Sequence, residues 1–487
     1  MEIIESQSKK YEEISQKYKK NYQKTLDSIP IIKQFIIDNK LIIYGGTAID
    51  YALRLLGDNI YPDESLTIPD LDFYSPEHVK HAYNLADILF KLGYNEVRTI
   101  RATYVQTMRV DIFDNTFVAD ITYIYPDIFN KLPILEYEGM KIIHPNFQFI
   151  DLHRSLSFPF ENAPLEVIFA RWKKDIERFN KLYALYPIKL IDQKINNLKF
   201  SNIICDIKYF TSVNKTICTG LSAYALLYKA LKDLEKLVNK SGNNIKLDYS
   251  NIIPSNFEIN NKSITITGIS SQLNDMLEFI DCNSEQEANN KEKKLETNKP
   301  KIEKYNAYMS IMPKYTIISD KTAAGIIKIK TYSTKHKLTA CNICTIDDGK
   351  IKYNIKHVNA QVLLFMLLSN SYIDIENSEI YRAYYISILK MIELAENLFN
   401  ILSKKISIDK LNELISKCPL FPSIDTYGII NKNESSEILE HGALVELKKA
   451  EPLYLPINYY PERKAKHAEF NYSLSKYFQK NGLKIIN

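Results

Sequence analysis

The stretch Leu41–Tyr74 reads LIIYGGTAIDYALRLLGDNIYPDESLTIPDLDFY and decides how the chain folds. Its apolar start predicts a strand that ends at Gly45-Gly46, and a helical pattern follows over residues 48–56. A loop rich in Asp, Asn and Pro leads to a second predicted strand over residues 71–74. This order predicts a mixed α/β domain in which a glycine turn and an Asp-x-Asp pair lie at one edge of a small sheet.

Periodic patterns on both sides extend this domain and add a second mixed region. An amphipathic helix is predicted over residues 6–27, and Ser28-Ile29-Pro30 is expected to restart a short helix that ends at Ile37. The other elements predicted for the first region are a helix over 77–92, a hairpin of strands 104–113 and 116–125, a strand over 139–144 and a helix over 162–186. The second region is predicted to contain helices over 222–239 and 360–368, strands near 263–267, 315–318, 325–332, 339–346 and 350–357, and a long helix over 379–404.

Size and composition bound the class of protein. A chain of 487 residues with 45% hydrophobic and 25% charged residues is expected to form two or three domains with substantial cores. Its longest apolar run, Val362–Leu368, is far shorter than the roughly 20 residues that span a bilayer, so no membrane partner is expected. Six cysteines indicate reduced thiols, and the start lacks the apolar core of a signal peptide. A net charge of +5 permits a polyanionic partner without proving one.

Asp70 and Asp72 are the first candidates for chemistry. Side chains two residues apart on a strand share a face, so Leu71 and Phe73 are expected to point into the core while both carboxylates point outward. Two carboxylates this close repel each other unless a cation lies between them, and Mg²⁺ prefers such hard oxygen ligands. The alternative interpretation is a solvated pair of acids after a proline turn.

The turn Gly45-Gly46-Thr47 is the second candidate, as a site for phosphates. Backbone amides are free between a strand and a helix, the helix dipole favours anions, and glycine permits close approach. The Thr47 hydroxyl is a further candidate contact. The structural alternative is a capping box formed by Thr47 and Asp50, with glycine needed only for the turn.

A third carboxylate is required to complete a site that holds two metal ions. Asp111 and Asp120 both have the expected local pattern, an acid between apolar neighbours on a predicted strand. Their spacing alone does not choose between them.

Other charged and metal-binding residue types give weaker signals. Basic residues off the apolar stripe of the 162–186 helix are candidates for phosphate contacts or for a solvated face, and they are Arg171, Lys173, Lys174 and Arg178. Cys341 and Cys344 have the spacing of a zinc site, but no second cysteine pair follows. His336 and His357 are isolated and are expected to lie at the surface.

Three motifs together resemble those of the polymerase-β nucleotidyltransferase superfamily. They are Tyr44-Gly45-Gly46-Thr47, Asp70-Leu71-Asp72 and a later strand with an acid between apolar residues. More narrowly, the set is similar to the poly(A) polymerase catalytic subunits of poxviruses and giant DNA viruses, in which the third acid shortly precedes a segment like residues 142–148. The resemblance therefore implies Asp120 as the third acid. It returns over residues 347–372, where the family carries a second, degenerate nucleotidyltransferase-like domain.

The patterns and the resemblance together predict an α+β chain of four parts. These are an N-terminal amphipathic helix (1–30), a catalytic nucleotidyltransferase domain (31–200), a degenerate nucleotidyltransferase-like domain (201–375, with a polar loop at 283–304) and a C-terminal helix with a surface tail (376–487). The spacing from the turn to Asp-x-Asp is longer than the superfamily norm. The glycine turn also comes too early for the N-terminal domain by which the poxvirus enzymes dock a processivity factor. A homodimer is the family-like alternative, and the implied location is the host cytoplasm, in a viral factory, or the virion.

The activity implied by the resemblance is template-independent addition of AMP from ATP to RNA 3′ ends. Two Mg²⁺ or Mn²⁺ ions are its expected cofactors. The residues it assigns are Asp70, Asp72 and Asp120 for catalysis and metal binding, and Gly45, Gly46 and Thr47 for the leaving pyrophosphate. The alternatives are another nucleotidyltransferase, such as a CCA-adding enzyme or a small-molecule adenylyltransferase, and a non-catalytic RNA-binding scaffold. The choice of acceptor distinguishes the first alternative, and the intact acids argue against the second.

Overall fold

The structure is a computed structural model, and it confirms the mixed α/β fold expected from the sequence. The residues it describes are 22–61, 70–102, 107–112, 116–124, 126–157, 165–190, 200–206, 216–259, 263–269, 277–281, 311–316, 321–322, 325–326, 329–334, 341–347, 352–373, 375, 378–421 and 459–463. Predictions that concern positions outside these residues include the start of the amphipathic helix, the start of the helix over 162–186, the polar loop at 283–304 and the surface position of His336. Within the described part, no helix is both long and apolar enough to cross a bilayer.

The chain divides into two compact units, residues 1–148 with 176–187 and 447–487, and residues 149–175 with 188–446. The elements up to residue 185 are α1 (Tyr22–Asp38), β1 (Ile42–Tyr44), α2 (Gly45–Arg54), β2 (Leu71–Ser75), α3 (His78–Lys91), β3 (Arg98–Arg101), β4 (Thr107–Ile112), β5 (Thr116–Tyr123), α4 (Pro126–Phe129), β6 (Ile134–Tyr137), β7 (Met140–Ile143), α5 (Pro145–Ser157) and α6 (Leu165–Leu185).

A seven-stranded mixed sheet organises the first unit, in the order β3-β4-β5-β2-β1-β7-β6. β2 runs parallel to β5 and β1 runs parallel to β7, while the other neighbours are antiparallel. The predicted pairing of β4 with β5 is present. The strands β1, β2 and β5 are therefore adjacent at the centre of the sheet, and they carry the glycine turn and two of the candidate acids.

Alternation along the central strands buries one set of side chains beneath α1 and α3. Leu71 and Phe73 are fully buried, as predicted, while Asp72 between them is only partly buried. Phe35 of α1 packs against Phe73, with 6.5 Å between the ring centroids, and against His81 of α3. Because burial of each such side chain contributes about 1.5–3 kcal/mol, the strand that bears Asp72 is firmly anchored.

Two helix starts differ from the sequence prediction. α1 is continuous over Tyr22–Asp38, so the predicted restart at Ser28 is wrong, and Pro30 lies inside the helix. A proline removes one backbone hydrogen bond, but the buried face runs on through Ile29 and Ile32 and keeps the helix intact. α2 begins at Gly45, three residues before the predicted start, because the glycines themselves form its first turn. Up to residue 185, the prediction also missed β3, α4, β6 and α5.

The C-terminal tail, predicted to lie at the surface, is buried at one point. Tyr459 is 6% exposed, and its backbone pairs with that of Thr99 in the edge strand β3 through hydrogen bonds of 2.8 and 3.0 Å. Its ring stacks on Tyr83 at 4.2 Å, and its hydroxyl donates to Asp87 at 2.6 Å. This residue therefore covers an edge of the sheet that would otherwise present unpaired backbone groups.

Among the residues that the structure describes, the second unit contains three smaller sheets and a group of helices. Its elements after residue 199 are β8 (Phe200–Asp206), β9 (Thr216–Thr219), α7 (Gly220–Lys240), β10 (Asn256–Ile259), β11 (Ser263–Ile269), β12 (Leu277–Asp281), β13 (Ile311–Thr316), β14 (Lys321–Thr322), β15 (Gly325–Ile326), β16 (Ile329–Thr334), β17 (Cys341–Asp347), β18 (Lys352–His357), α8 (Ala360–Ile373), α9 (Ser378–Leu402) and α10 (Ile408–Lys417). The sheet orders are β13-β16-β12-β9-β18-β17, β10-β11-β8 and β14-β15. The degenerate nucleotidyltransferase-like domain expected here stays a prediction.

Buried histidines lie among the strands and helices of the second unit. The two ring nitrogens of His153 in α5 lie 2.7 Å from the Tyr385 hydroxyl and 3.1 Å from Gln361 Oε1. His357 is fully buried, so its predicted surface position is wrong. The reason is that β18 leads directly into the apolar helix α8, and the His357 ring is hydrogen-bonded to the Val358 carbonyl at 2.8 Å.

These histidines make the stability of the protein depend on pH. Burial lowers the pKa of His153 and of His357 to about 4, so both rings stay neutral in the folded state at a pH where the unfolded chain, with histidine pKa near 6.5, takes up protons. The contribution of these two histidines to the free energy of unfolding is therefore fully present above about pH 6.5. It is lost as the pH falls towards about 4, by up to about 3 kcal/mol for each ring.

We expect His153→Gln to reduce the slope of unfolding free energy against pH between about pH 6.5 and 4, because one group with a lowered pKa is removed. Urea unfolding followed through the single tryptophan, Trp172, measures this slope in the wild type and the variant. Equal slopes would contradict the assigned role of His153.

Candidate active site

The glycine turn lies against the carboxylate of Asp72. Gly45 has φ +72°, and a Cβ atom at this position would stand 2.6 Å from Asp72 Oδ2. Both the backbone conformation and the space therefore require glycine. The Gly45 amide donates to Gln148 Oε1 at 3.3 Å, and the amides that follow belong to the first turn of α2, where the helix has no carbonyls to pair them. The turn thus presents the amide-rich end of a helix beside an acid.

The register of the sheet brings two candidate acids side by side. Asp72 of β2 and Asp120 of β5 are direct neighbours on parallel strands, and Asp70 lies just before β2 with its side chain exposed. Burial, followed by the negative charges of Asp120 and Asp70, raises the pKa of Asp72 well above its usual range. The three acids therefore crowd one another electrostatically, which is the condition that a bound cation relieves.

The alternative third acid, Asp111, lies elsewhere. It is on β4, 1% exposed, and its carboxylate bonds to Arg98 Nε and Nη2, each at 2.7 Å. Burial raises its pKa, although the ion pair with Arg98 opposes this shift. Because β4 is separated from β2 by β5, the sheet places Asp120 and not Asp111 beside Asp72.

Asp120 is held by a bidentate ion pair. Arg109 Nε lies 2.7 Å from Asp120 Oδ1, and Arg109 Nη2 lies 2.6 Å from Asp120 Oδ2. This planar geometry is the one that distinguishes arginine from lysine. Both oxygens of the acid are thus engaged by a protein cation.

Thr47 is buried, and its side chain binds the backbone of one of the candidate acids. Its hydroxyl donates to the Asp70 carbonyl oxygen at 2.8 Å, which ties the start of β2 to the glycine turn. The capping box with Asp50 considered as an alternative is not formed. Asp50 Oδ1 instead accepts the amides of Ile60 and Tyr61, at 2.7 and 2.8 Å, and so fixes the loop that follows α2.

The sequence did not point to Tyr61, and it left open whether Arg178 contacts phosphates or lies on a solvated face. A Cβ atom on Gly46 would stand 2.6 Å from the Tyr61 hydroxyl and 2.9 Å from Arg178 Nη2, and these two groups are hydrogen-bonded to each other at 2.8 Å. A guanidinium and a hydroxyl therefore lie across the second glycine of the turn. The basic face of α6 signalled Arg178, but nothing in the sequence signalled Tyr61, which is positioned by the buried carboxylate of Asp50.

The acids present the right donors for a hard divalent cation. Their oxygens are the ligand type that Mg²⁺ and Mn²⁺ prefer, and burial together with the neighbouring negative charges raises the pKa of Asp72. Among the described residues, no three His, Cys, Asp or Glu side chains already form a ligand set. The carboxylates therefore fit Mg²⁺ or Mn²⁺, provided that the Arg109 guanidinium moves away from the oxygens of Asp120.

The fold and the site together define a nucleotidyltransferase-type domain: a central mixed sheet, a strand–Gly-Gly–helix turn and acids on two adjacent strands. Comparison with known proteins agrees. Residues 30–162 match the family described as "Poly(A) polymerase catalytic subunit". The chain belongs to the poly(A) polymerase catalytic subunit family, and its activity is that of a polynucleotide adenylyltransferase.

Viral relatives support this family membership. The chain is 35% identical to a "Putative poly(A) polymerase catalytic subunit" of the Badajoz strain of African swine fever virus, over 84% of this chain and 79% of the relative. A protein of the same description from the Pretoriuskop tick isolate is 32% identical over 97% of this chain and 96% of its own. One from Acanthamoeba polyphaga mimivirus is 30% identical over 45% of this chain and 38% of its own.

A solved structure shares the fold. The crystal structure of the Megavirus polyadenylate synthase aligns with a TM-score of 0.60 and 19% identity, over 97% of this chain and 88% of that chain. At this identity the likeness concerns the fold alone.

The close fit of Gly45 against Asp72 predicts a stability difference between two glycines with similar backbones. Gly139 has φ +77° but nothing within 4 Å of where a Cβ atom would stand, so Gly139→Ala costs only the backbone strain, about 1–2 kcal/mol. Gly45→Ala adds the contact with Asp72 to the same backbone strain, and we expect a loss at least about 1 kcal/mol larger. Urea unfolding of both variants measures this difference, and equal losses would contradict the close approach.

Proposed function

We propose that the chain adds AMP from ATP to RNA 3′ ends without a template, by a mechanism that uses two divalent metal ions. The observation that carries this proposal is the placement of Asp72 and Asp120 in register on adjacent strands, with Gly45 packed against Asp72. Membership of the poly(A) polymerase catalytic subunit family supports the choice of RNA and ATP as substrates.

In this proposal the three acids hold Mg²⁺ or Mn²⁺. The carboxylates of Asp70, Asp72 and Asp120 would hold these ions. When bound, the ions supply charge neutralisation at the reacting phosphate and lower the pKa of the attacking hydroxyl. The chain itself contributes position: the sheet register aligns Asp72 with Asp120, and the Thr47 hydroxyl holds the backbone of Asp70 beside the turn.

The glycine turn and its neighbours bind the triphosphate of ATP. The first amides of α2 face anions, and the helix dipole adds positive potential at this end. Arg178 stands across Gly46 and supplies a full positive charge, while Tyr61 orients it through a 2.8 Å hydrogen bond. This arrangement stabilises the pyrophosphate as negative charge builds up on the leaving group.

The direct test is an extension assay with labelled RNA, Mg²⁺ and each of the four nucleoside triphosphates in separate reactions. We expect long extension with ATP alone. Addition of CTP and then ATP that stops after three nucleotides would favour a CCA-adding enzyme. Failure to extend with any nucleotide would favour an RNA-binding scaffold.

Loss of an acid is predicted to abolish extension without unfolding the protein. Asp72→Asn and Asp120→Asn each remove a charged metal ligand, and we expect the rate to fall at least about 1,000-fold because the reaction depends on electrostatic stabilisation. Asp38→Asn, at an exposed acid of α1, is the matched control and should keep full activity. Activity in Asp72→Asn close to that of the control would remove the assigned metal role.

Arg109 is predicted to compete with the metal ions for Asp120. Arg109→Gln frees both carboxylate oxygens, so we expect it to tighten Mn²⁺ binding, measured directly by titration calorimetry without RNA or ATP. Arg98→Gln is the matched control, because it breaks an arginine–aspartate pair of the same kind at Asp111, outside the site. Equal Mn²⁺ affinities in the two variants would show that the arginine does not occupy a metal position.

Two further proposals follow from the family and are independent of the chemistry. We propose a homodimer, which a mass measurement in solution by light scattering tests. We also propose that the protein works in the host cytoplasm, in a viral factory, or in the virion.

A further inference from the structure

A β-bulge changes which residues share a face with the acid Asp120. Facing residues of β4 and β5 pair as Arg109 with Asp120, Val110 with Ala119, and then Asp111 with Phe117, so Val118 is an extra residue without an opposite partner. Directly opposed residues point to the same side of a sheet, and each step along β4 alternates sides. Phe117 therefore lies on the same face as Arg109 and Asp120, although simple alternation along β5 would put it on the other face.

The ring of Phe117 is exposed on one side and backed by a cation on the other. It is 38% exposed, and Arg109 Cζ lies 4.4 Å from the ring centroid. The same guanidinium holds both oxygens of Asp120. An isolated exposed phenylalanine is ordinary on a protein surface, but this one is fixed, through a single arginine, to a candidate catalytic acid.

The order of the strands indicates which of the two substrates, ATP or RNA, lies nearer to the Phe117 ring. From the glycine turn outward the sheet runs β1, β2, β5 and β4. Asp120 and Phe117 both lie on β5, three residues apart along the strand, and Arg109 lies on β4 beyond them. Neighbouring strands are about 4.8 Å apart. If the turn takes the triphosphate of ATP, the strand that carries Asp120 and Phe117 lies on the other side of β2 from the turn, and we assign the attacking RNA strand to that side.

We propose that Phe117, backed by Arg109, is a stacking platform for a base of the RNA primer near its 3′ end. This inference rests on the proposed function for the assignment of the RNA to the Asp120 side. An aromatic ring stacks any base, because every base has a π face. Such a contact suits an enzyme that must grip RNA ends of different sequence, where hydrogen bonds to base edges would restrict the choice of primer.

The test measures binding of labelled single-stranded RNA to the full chain by fluorescence anisotropy, without ATP or metal. We expect Phe117→Ala to weaken binding roughly 5- to 100-fold, the range for loss of one stacked base. Phe117→Leu keeps the apolar volume and should weaken binding similarly, whereas Phe117→Trp should bind at least as tightly as the wild type. Phe90→Ala is the matched control, since Phe90 on α3 is also 38% exposed and lies away from the acids.

A second arm uses RNA in which one of the last three nucleotides lacks its base. If Phe117 stacks the missing base, that RNA should bind Phe117→Ala and the wild type with nearly equal affinity, while intact RNA distinguishes them. Binding of intact RNA by Phe117→Ala or Phe117→Leu within twofold of the wild type would overturn the platform. So would a rise in the KM for ATP without a change in RNA affinity, because the ring would then stack adenine.

The assay also separates this inference from the proposed function. A wild type that extends RNA with ATP while Phe117→Ala binds RNA normally refutes only the platform. A wild type that neither binds nor extends RNA refutes both.

Discussion

The electrostatic crowding of Asp72 and Asp120 on neighbouring parallel strands is the constraint on which the rest of the site depends. Burial raises the pKa of Asp72 well above its usual range, and the neighbouring charges of Asp120 and Asp70 raise it further, so a charged carboxylate at this position is unfavourable. A protein that keeps such a pair must hold the strands rigidly. The buried neighbours Leu71 and Phe73 anchor β2 beneath α1 and α3, so packing in the core offsets the repulsion at its edge.

The groups around the acids neutralise or accommodate the crowded carboxylates. Arg109 neutralises Asp120 with a planar, bidentate contact, and Gly45 leaves room for the Asp72 carboxylate where any side chain would collide. The amides at the start of α2 and the guanidinium of Arg178 lie on the side away from Arg109, and they create a positive region beside a negative one. That polarity suits a reaction in which a triphosphate must meet metal-binding acids without being repelled by them.

The fold and the outline of the site were predictable because they depend on local patterns. The apolar run before Gly45 and the alternation around Asp72 correctly gave a strand, a turn and a half-buried strand. The choice between Asp111 and Asp120 was not predictable from spacing, because both lie on strands and only the sheet order tells which is beside Asp72. The position of Phe117 on the same face as Asp120 was not predictable for a related reason, since a bulge reverses the face that simple alternation assigns.

The remaining errors arise from contacts between distant parts of the chain. The restart expected at Ser28 fails because a continuous buried face outweighs one missing hydrogen bond at Pro30. His357 looked like an isolated surface histidine, yet the strand that carries it lies inside a sheet. The role of Tyr61 depends on backbone hydrogen bonds to Asp50, which no sequence pattern reveals.

The most direct test of the account is a crystal structure with Mn²⁺ and a non-hydrolysable ATP analogue, in which anomalous scattering locates the metal. We expect Mn²⁺ peaks bound by Asp70, Asp72 and Asp120, phosphates at the Gly45–Gly46 turn, and an Arg109 guanidinium that has left Asp120. A bound analogue with no metal at these carboxylates, or with Arg109 still paired to Asp120, would contradict it.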